Sequence, residues 1–272
     1  PIHIAVITLC RKPEDIYESY YIAKFSDQFR DNMTRLSVNI NKVALIRNSR
    51  GENMPNLLKF ALDCEEFGAQ GITVHPRPDE RHIRYSDLMP LKEAVTTEFN
   101  IEGYPSDNFV EKVLEVKPTQ VTLVPDPPGV LTSSEGWDTQ KHKSFLHNVI
   151  QAFHSENIRA SLFLNPDPRD VDYAAQTGTD RVEFYTGGYA KMYLTDKSAA
   201  VKNHVLAAKE AINQGLGVNA GHDLNLDNLH YYIQEVPRVL EVSIGHAIVC
   251  DALYYGIQNA IQMYLHQINR KE

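Results

Sequence analysis

The chain has 272 residues, 43% of them hydrophobic and 23% charged, with a formal net charge of −8. That length buries one sizeable core, as a single α/β barrel or two small domains, and the composition excludes collagen-like, disulfide-scaffold and low-complexity classes. The acidic balance argues against non-specific binding to nucleic acid or to anionic membranes. Cys10, Cys64 and Cys250 are odd in number and far apart, which reads as reduced thiols in a cytoplasmic protein. The apolar run Ile2 to Cys10 meets Arg11-Lys12-Pro13 and has no basic region before it. It reads as neither a signal peptide nor a membrane span, which needs about 18 consecutive apolar residues.

Along the chain, Ile16, Tyr20 and Ala23 predict a helix over Asp15–Arg30, an appendage outside the pattern that follows. The first predicted strand is Leu36–Ile40, and Leu57, Ala61 and Cys64 mark a helix that ends before Gly68. Strands at Gly71–His75 and Phe99–Glu102 come next, then a helix through Phe109, Val110, Val113 and Leu114 stopped by Lys117-Pro118. After the strand Gln120–Val124, Asp138 is the expected cap of a helix whose apolar stripe is Leu146, Val149, Ile150 and Phe153. Arg159–Leu164 is followed by a helix opened by Asp167-Pro168 and closed by Gly178. Arg181–Tyr185 leads to the stripe Val201, Val205, Ala208 and Ile212, ended by Gly215. The strand Leu216–Asn219, a helix through Leu229, Ile233 and Val236, the strand Val242–Ile244 and a last helix over Ala247–Ile268 complete the chain.

Most of these strand runs are apolar on nearly every residue, as parallel strands buried on both faces are. Strand and helix alternate eight times with no linker-like segment, which predicts a single (β/α)8 barrel with an N-terminal extension. A doubly wound open sheet is the competing topology.

In a barrel the chemistry sits at the carboxyl ends of the strands. Those positions hold Asn39, His75, Glu102, Thr186, Asn219 with His222, and Gly245-His246. A lone histidine there is more often structural; several, together with a carboxylate, point to a site. Glu102 at a strand end would be partly buried, with its pKa raised into the range of a general base; a salt bridge to Arg77 or Arg50 is the plainer alternative. The run from His75 to Arg84 holds three arginines and two histidines, His82 being the second. Guanidinium forks match phosphate, so an anionic substrate is the functional reading and a solvated, internally paired loop the bland one. Gly221-His222 and Gly245-His246 follow the seventh and eighth strands, where barrels commonly bind phosphate. His75, Glu102 and His222 also make a two-histidine, one-carboxylate metal set. No lysine stands at a strand end for a Schiff base, Lys42 being the nearest.

These residues lie in stretches that closely resemble the pyridoxine 5′-phosphate synthase family, which closes the pyridine ring in the deoxyxylulose-dependent route to vitamin B6. The matching segments include LSVNINKVALIRNSRG (36–51), GITVHPRPDERHIR (71–84), FNIEGYPS (99–106), RVEFYTGGYA (181–190), GVNAGHDLNLDNL (217–229) and EVSIGHAIVCDALYYG (241–256), in family order. The resemblance implies a barrel with extra helices, commonly a homo-octamer, without metal or organic cofactor. The implied ring-closing reaction condenses 3-amino-2-oxopropyl phosphate with 1-deoxy-D-xylulose 5-phosphate. It yields pyridoxine 5′-phosphate, inorganic phosphate and water.

Carried across, His75 and Glu102 match the family's proton acceptors and His222 its proton donor. Asn39, Arg50, Asp223, Gly245 and His246 match positions that hold the aminooxopropyl phosphate. Asn41, Lys42, Arg77, His82 and Thr132 match those that hold the deoxyxylulose phosphate. Many members read Asn-Ile-Asp-His where this chain has Asn39-Ile40-Asn41-Lys42, and Gly where it has Asp223. Met33-Thr34-Arg35-Leu36 resembles the family's usual start, so residues 1–32 read as an extension and 33–272 as the catalytic barrel. The alternatives are a barrel that binds a phosphorylated metabolite without turnover, and a metal-dependent lyase or hydrolase built on His75, Glu102 and His222.

Overall fold

A computed structural model describes residues 33–126 and 135–270. Its eight strands are Arg35–Asn39 (β1), Gly71–Val74 (β2), Glu98–Gly103 (β3), Gln120–Leu123 (β4), Arg159–Leu164 (β5), Arg181–Tyr185 (β6), Gly217–Gly221 (β7) and Val239–Ile244 (β8). All pair in parallel in chain order, and β8 returns to β1, so the sheet is a closed barrel rather than an open one. Each predicted strand run coincides with one of these strands to within a few residues.

The strands are buried on both faces, but the two faces differ in chemistry. Leu36, Val38, Ile72, Ile101, Val121, Leu162, Phe184, Ala220 and Val242 join the apolar core beneath the helices. The alternate residues Ser37, Thr73, Asn100, Thr122, Ser161, Glu183, Asn219 and Ser243 are buried too, and they are polar. A strand puts successive side chains on opposite faces, so this second set fills the lumen. Hydrogen bonds link it across strands: Ser37 to Thr73 at 2.7 Å, Asn100 to Thr73 at 3.3 Å and Thr122 to Asn100 at 3.1 Å. Where the sequence predicts most strands to be apolar on nearly every residue, the inward positions are polar: those of β1 to β4 satisfy one another laterally, while Ser161 Oγ and Glu183 Oε2 are buried without a hydrogen-bond partner.

At the amino ends of the strands Glu98 accepts hydrogen bonds from Arg35 and, at 2.7 Å, from Arg159. Arg181 lies 3.8 Å from the same carboxylate. This cluster closes the floor of the barrel.

Of the helices, Asn41–Asn48 (α1), Leu57–Glu66 (α2), Tyr85–Ala94 (α3), Asp107–Val116 (α4) and Thr139–His154 (α5) fall in the first half. Pro168–Ala175 (α6), Gly187–Tyr193 (α7), Lys197–Asn213 (α8), Leu229–Glu235 (α9), His246–Tyr255 (α10) and Ile257–Asn269 (α11) follow. Asp138 and Asp167 cap α5 and α6 as expected, accepting from the backbone N–H groups of Lys141 and Arg169. The single helix expected over Ala247–Ile268 is two helices, broken at Gly256, whose φ of +76° glycine adopts without steric cost. α1, α3 and α7 carry no clear stripe in the sequence: α1 buries only Val43, Ala44 and Arg47, α3 contains Pro90, and α7 begins Gly-Gly. Among the described residues no helix is long and apolar enough to cross a membrane. The helix predicted at Asp15–Arg30 lies outside the described residues.

Candidate active site

Three neighbouring strands deliver the first group of side chains. β1 ends in Asn39, β2 runs into His75, and Glu102 is the penultimate residue of β3. His75 Nδ1 lies 3.7 Å from Glu102 Oε2, with side-chain exposures of only 8% and 12%. Asn39 Nδ2 donates to the same carboxylate oxygen at 3.4 Å. Asn41 accepts from the His75 backbone N–H at 2.9 Å, which ties the start of α1 to the end of β2.

Burial disfavours charge on both partners. It lowers His75 well below the ordinary imidazole range, helped by the cations Arg77 and Arg81 and by His82. It pushes Glu102 up to about 8, against the pull of Arg77 and with the push of Glu241 and Asp126. The pair therefore stands near neutral pH as a neutral imidazole beside a protonated carboxyl. That bears out the expectation of a raised Glu102 pKa. The alternative salt bridges do not form: Arg77 pairs with Asp126 at 3.2 Å and Arg50 is exposed beyond α1.

The loop after β2 carries the cationic side chains, and a buried anchor holds it. Arg47 of α1 makes a two-point pair with Asp87 at 2.7 and 2.9 Å and donates to the His82 carbonyl at 3.2 Å. Asn48 donates to that carbonyl at 2.7 Å. His82 is thereby set edge-on to His75, ring centres 6.4 Å apart. Its own pKa is lowered to about 4, by burial first and then by Arg77, Arg81 and Lys42. Lys42 itself is exposed.

Across the mouth, β6 and β7 supply the second group. Glu183, absent from the expected site, is 3% exposed in the lumen. A Cβ on Gly221 would fall 2.3 Å from Glu183 Oε1, so glycine leaves room for the carboxyl where it stands and a larger residue would displace it. Burial and the nearby Glu102 drive its pKa well above the carboxylate range. The sequence signal was available: an acidic residue at the inward position of the otherwise apolar run Val182-Glu183-Phe184. His222 follows Gly221, its ring 5.1 Å from that of Tyr185 and its Nδ1 3.1 Å from Asp223. Asp223 has φ +56°, which explains why glycine suits this position, and its carboxylate turns to His222. Gly245 packs on Asn39, where a Cβ would sit 3.1 Å from the Asn39 Cβ, and His246 opens α10 exposed.

His75, Glu102, Asn39, Asn41 and His82 thus form one connected group, Arg77 and Gly245 adjoin it, and His222 with Asp223 follows β7, the strand that pairs with the one carrying Glu183. Arg50, Lys42 and His246 are exposed around them. Thr132 lies outside the described residues. No three His, Cys, Asp or Glu side chains among the described residues converge closely enough to hold a metal ion.

A closed parallel barrel with neutral imidazoles and protonated carboxyls gathered at the carboxyl ends of its strands defines the class: a (β/α)8 barrel equipped for acid–base chemistry. Residues 36–270 match the family profile described as pyridoxal phosphate biosynthesis protein PdxJ. The pyridoxine 5′-phosphate synthase of Parabacteroides distasonis is 58% identical over 237 residues, covering 87% of this chain and all of the relative. That of Cytophaga hutchinsonii is 57% identical, covering 88% of this chain and all of the relative. The chain belongs to the PdxJ family. Among solved structures, the 3-keto-L-gulonate-6-phosphate decarboxylase of Vibrio cholerae superposes with a TM-score of 0.62 at 7% identity, over 88% of this chain and 98% of that one. The tryptophan synthase of Mycobacterium tuberculosis does so at 0.61 and 12% identity, over 91% and 97%. These two show the barrel fold alone.

Proposed function

We propose that this chain is a pyridoxine 5′-phosphate synthase that condenses 3-amino-2-oxopropyl phosphate with 1-deoxy-D-xylulose 5-phosphate. The observation that carries the reading is the buried His75–Glu102 pair at the mouth of a PdxJ-family barrel. Joining an amine to a ketone, expelling phosphate and water, and aromatising a ring is a succession of proton transfers. A neutral imidazole accepts a proton and a carboxyl with a pKa of about 8 exchanges one in either direction near neutrality. In this reading His75 and Glu102 are the proton acceptors, Glu102 acting through its ionised fraction, and His222 is the donor. Glu183, held protonated between Gly221 and Glu102, supplies a further hydrogen-bond donor to developing negative charge.

Two doubly charged substrates need two anion sites. Gly245 and His246 at the start of α10, with Asn39, Arg50 and the Asp223 backbone, would hold the aminooxopropyl phosphate. Arg77, His82, Lys42, Asn41 and Thr132 would hold the deoxyxylulose phosphate. Lys42 influences His82 through its charge and would face a phosphate from the position where the family resemblance has histidine. Fixing both substrates in register removes much of the entropic barrier to a two-substrate condensation. No step requires a metal or organic cofactor. Protein treated with a chelator and given both substrates is expected to release pyridoxine 5′-phosphate. Binding without product would favour a sensor, and loss of product restored by metal a metal-dependent enzyme.

We also read residues 33–272 as the catalytic unit, assembled as a cytoplasmic homo-octamer. The end of α10 supports self-association by exposing Leu253, Tyr254 and Tyr255, at 75, 86 and 53%. Removing residues 1–32 is expected to leave turnover within about twofold of the full chain and the octamer intact by light scattering. A truncated protein that misfolds or dissociates would assign the extension a structural role instead.

A further inference from the structure

His222 and Asp223 are consecutive non-glycine residues with positive φ, +86° and +56°. Such backbone is sparsely populated and persists only where neighbouring groups hold it. Here two buried polar side chains grip three successive carbonyls. Thr186, fully buried at the end of β6, donates its hydroxyl to the Gly221 carbonyl at 2.7 Å and to the His222 carbonyl, while its backbone N–H donates to Gly221 at 3.0 Å. Asn228, 2% exposed, donates from Nδ2 to the Asp223 carbonyl at 3.2 Å. Asn228 is fixed in turn: its carbonyl accepts from the Tyr189 hydroxyl at 2.7 Å and its Oδ1 from the Asn225 N–H at 2.9 Å. Thr186 and Tyr189 flank the start of α7, so one short segment supports both grips. The same segment seats Tyr185, whose hydroxyl occupies the space a Cβ on Gly187 would need, 2.2 Å away. The ring of His222 then rests against Tyr185 at 5.1 Å.

We infer that Thr186 is a positioning residue for the reaction: its hydroxyl, with Asn228 as second clamp, locks the left-handed turn that presents the His222 imidazole. This deepens the reading above and rests on His222 acting as proton donor. Nothing in the motif around Thr186 marks it as more than a strand-end residue; the arrangement exists only because β6 and β7 are neighbours in the ring.

The test is a double-mutant cycle on the full-length protein. Thr186→Val keeps the shape and removes the hydroxyl, and is expected to lower kcat at least tenfold with KM for both substrates within twofold. Thr186→Ser, which restores the donor, should return kcat to within threefold of wild type. In a His222→Asn background Thr186→Val should change the residual rate less than twofold, because there is no longer an imidazole to place. A merely structural role would lower the melting temperature, and the Thr186→Val cost in kcat would be equal in the two backgrounds; that result overturns the inference. So does wild-type kcat in Thr186→Val when His222→Asn is inactive. Near-normal turnover in His222→Asn alone removes the donor assignment and the inference with it. Should Thr186→Val fail to fold, Thr186→Ala removes the same hydroxyl without adding bulk and carries the same expectations.

Discussion

Glu102→Gln is expected to reduce turnover by more than about a hundredfold while the protein folds normally. The amide keeps the shape and can still accept the Asn39 hydrogen bond, so what disappears is the exchangeable proton. The same substitution has a second, independent readout in stability. In the folded chain Glu102 holds its proton to about pH 8, whereas the ordinary value is 4.5. Between those two pH values the folded state binds more protons than the unfolded one, so rising pH drains stability through that window. The stabilisation is complete below 4.5 and gone above 8. Glutamine has no proton to lose, so the melting temperature of Glu102→Gln should gain on wild type as pH rises from 5 to 8. Parallel melting curves across that range would mean the carboxyl is already ionised in the free protein. Wild-type turnover in the variant would remove Glu102 from the chemistry.

Glu98→Ala should be the most destabilising change at the other end of the barrel. The Glu98 carboxylate is within 4 Å of Arg35, Arg159 and Arg181. Burial alone would raise its pKa, yet the hydrogen bond and charge of Arg159, with the charge of Arg181, bring it below the ordinary carboxylate value. Its contribution is therefore present above about pH 4.5 and is lost as pH falls through the folded value. Removing the carboxylate takes from Arg35 and Arg159 the counter-ion they share, while Arg181 keeps the buried Glu241 nearby, a loss on the order of 3–5 kcal/mol. For a domain of this size that corresponds to a fall in melting temperature of about 10 °C. Glu98 begins the strand on which Glu102 stands four residues later, roughly 13 Å away, so kcat of the folded protein at 20 °C should hold within about twofold. A melting temperature within 2 °C of wild type would show that the arginines find water or other partners. A collapse of kcat would show that floor and mouth are coupled.

The order and type of the strands were legible in local sequence because each is a short aliphatic run bounded by turn residues, and burial against helices demands such runs. So were the capped helices, since Asp138 and Asp167 satisfy N–H groups a few residues on. His75, Glu102, His222 and the Gly-His pairs could be nominated because strand ends are where a barrel places chemistry. The sequence alone thus determined the repeating strand–helix unit and nominated most of the side chains at the mouth, though not Glu183.

What lies inside the ring was decided only by closure. The inner face of each strand gathers with those of seven others, and polar residues scattered over more than 200 positions become neighbours. Glu183 becomes a protonated partner of Glu102 because Gly221 leaves room for it from the next strand. Glu98 becomes the floor because three arginines from β1, β5 and β6 converge on it. The pKa of a carboxyl depends on the dielectric and the charges around it, and neither exists until the barrel has shut.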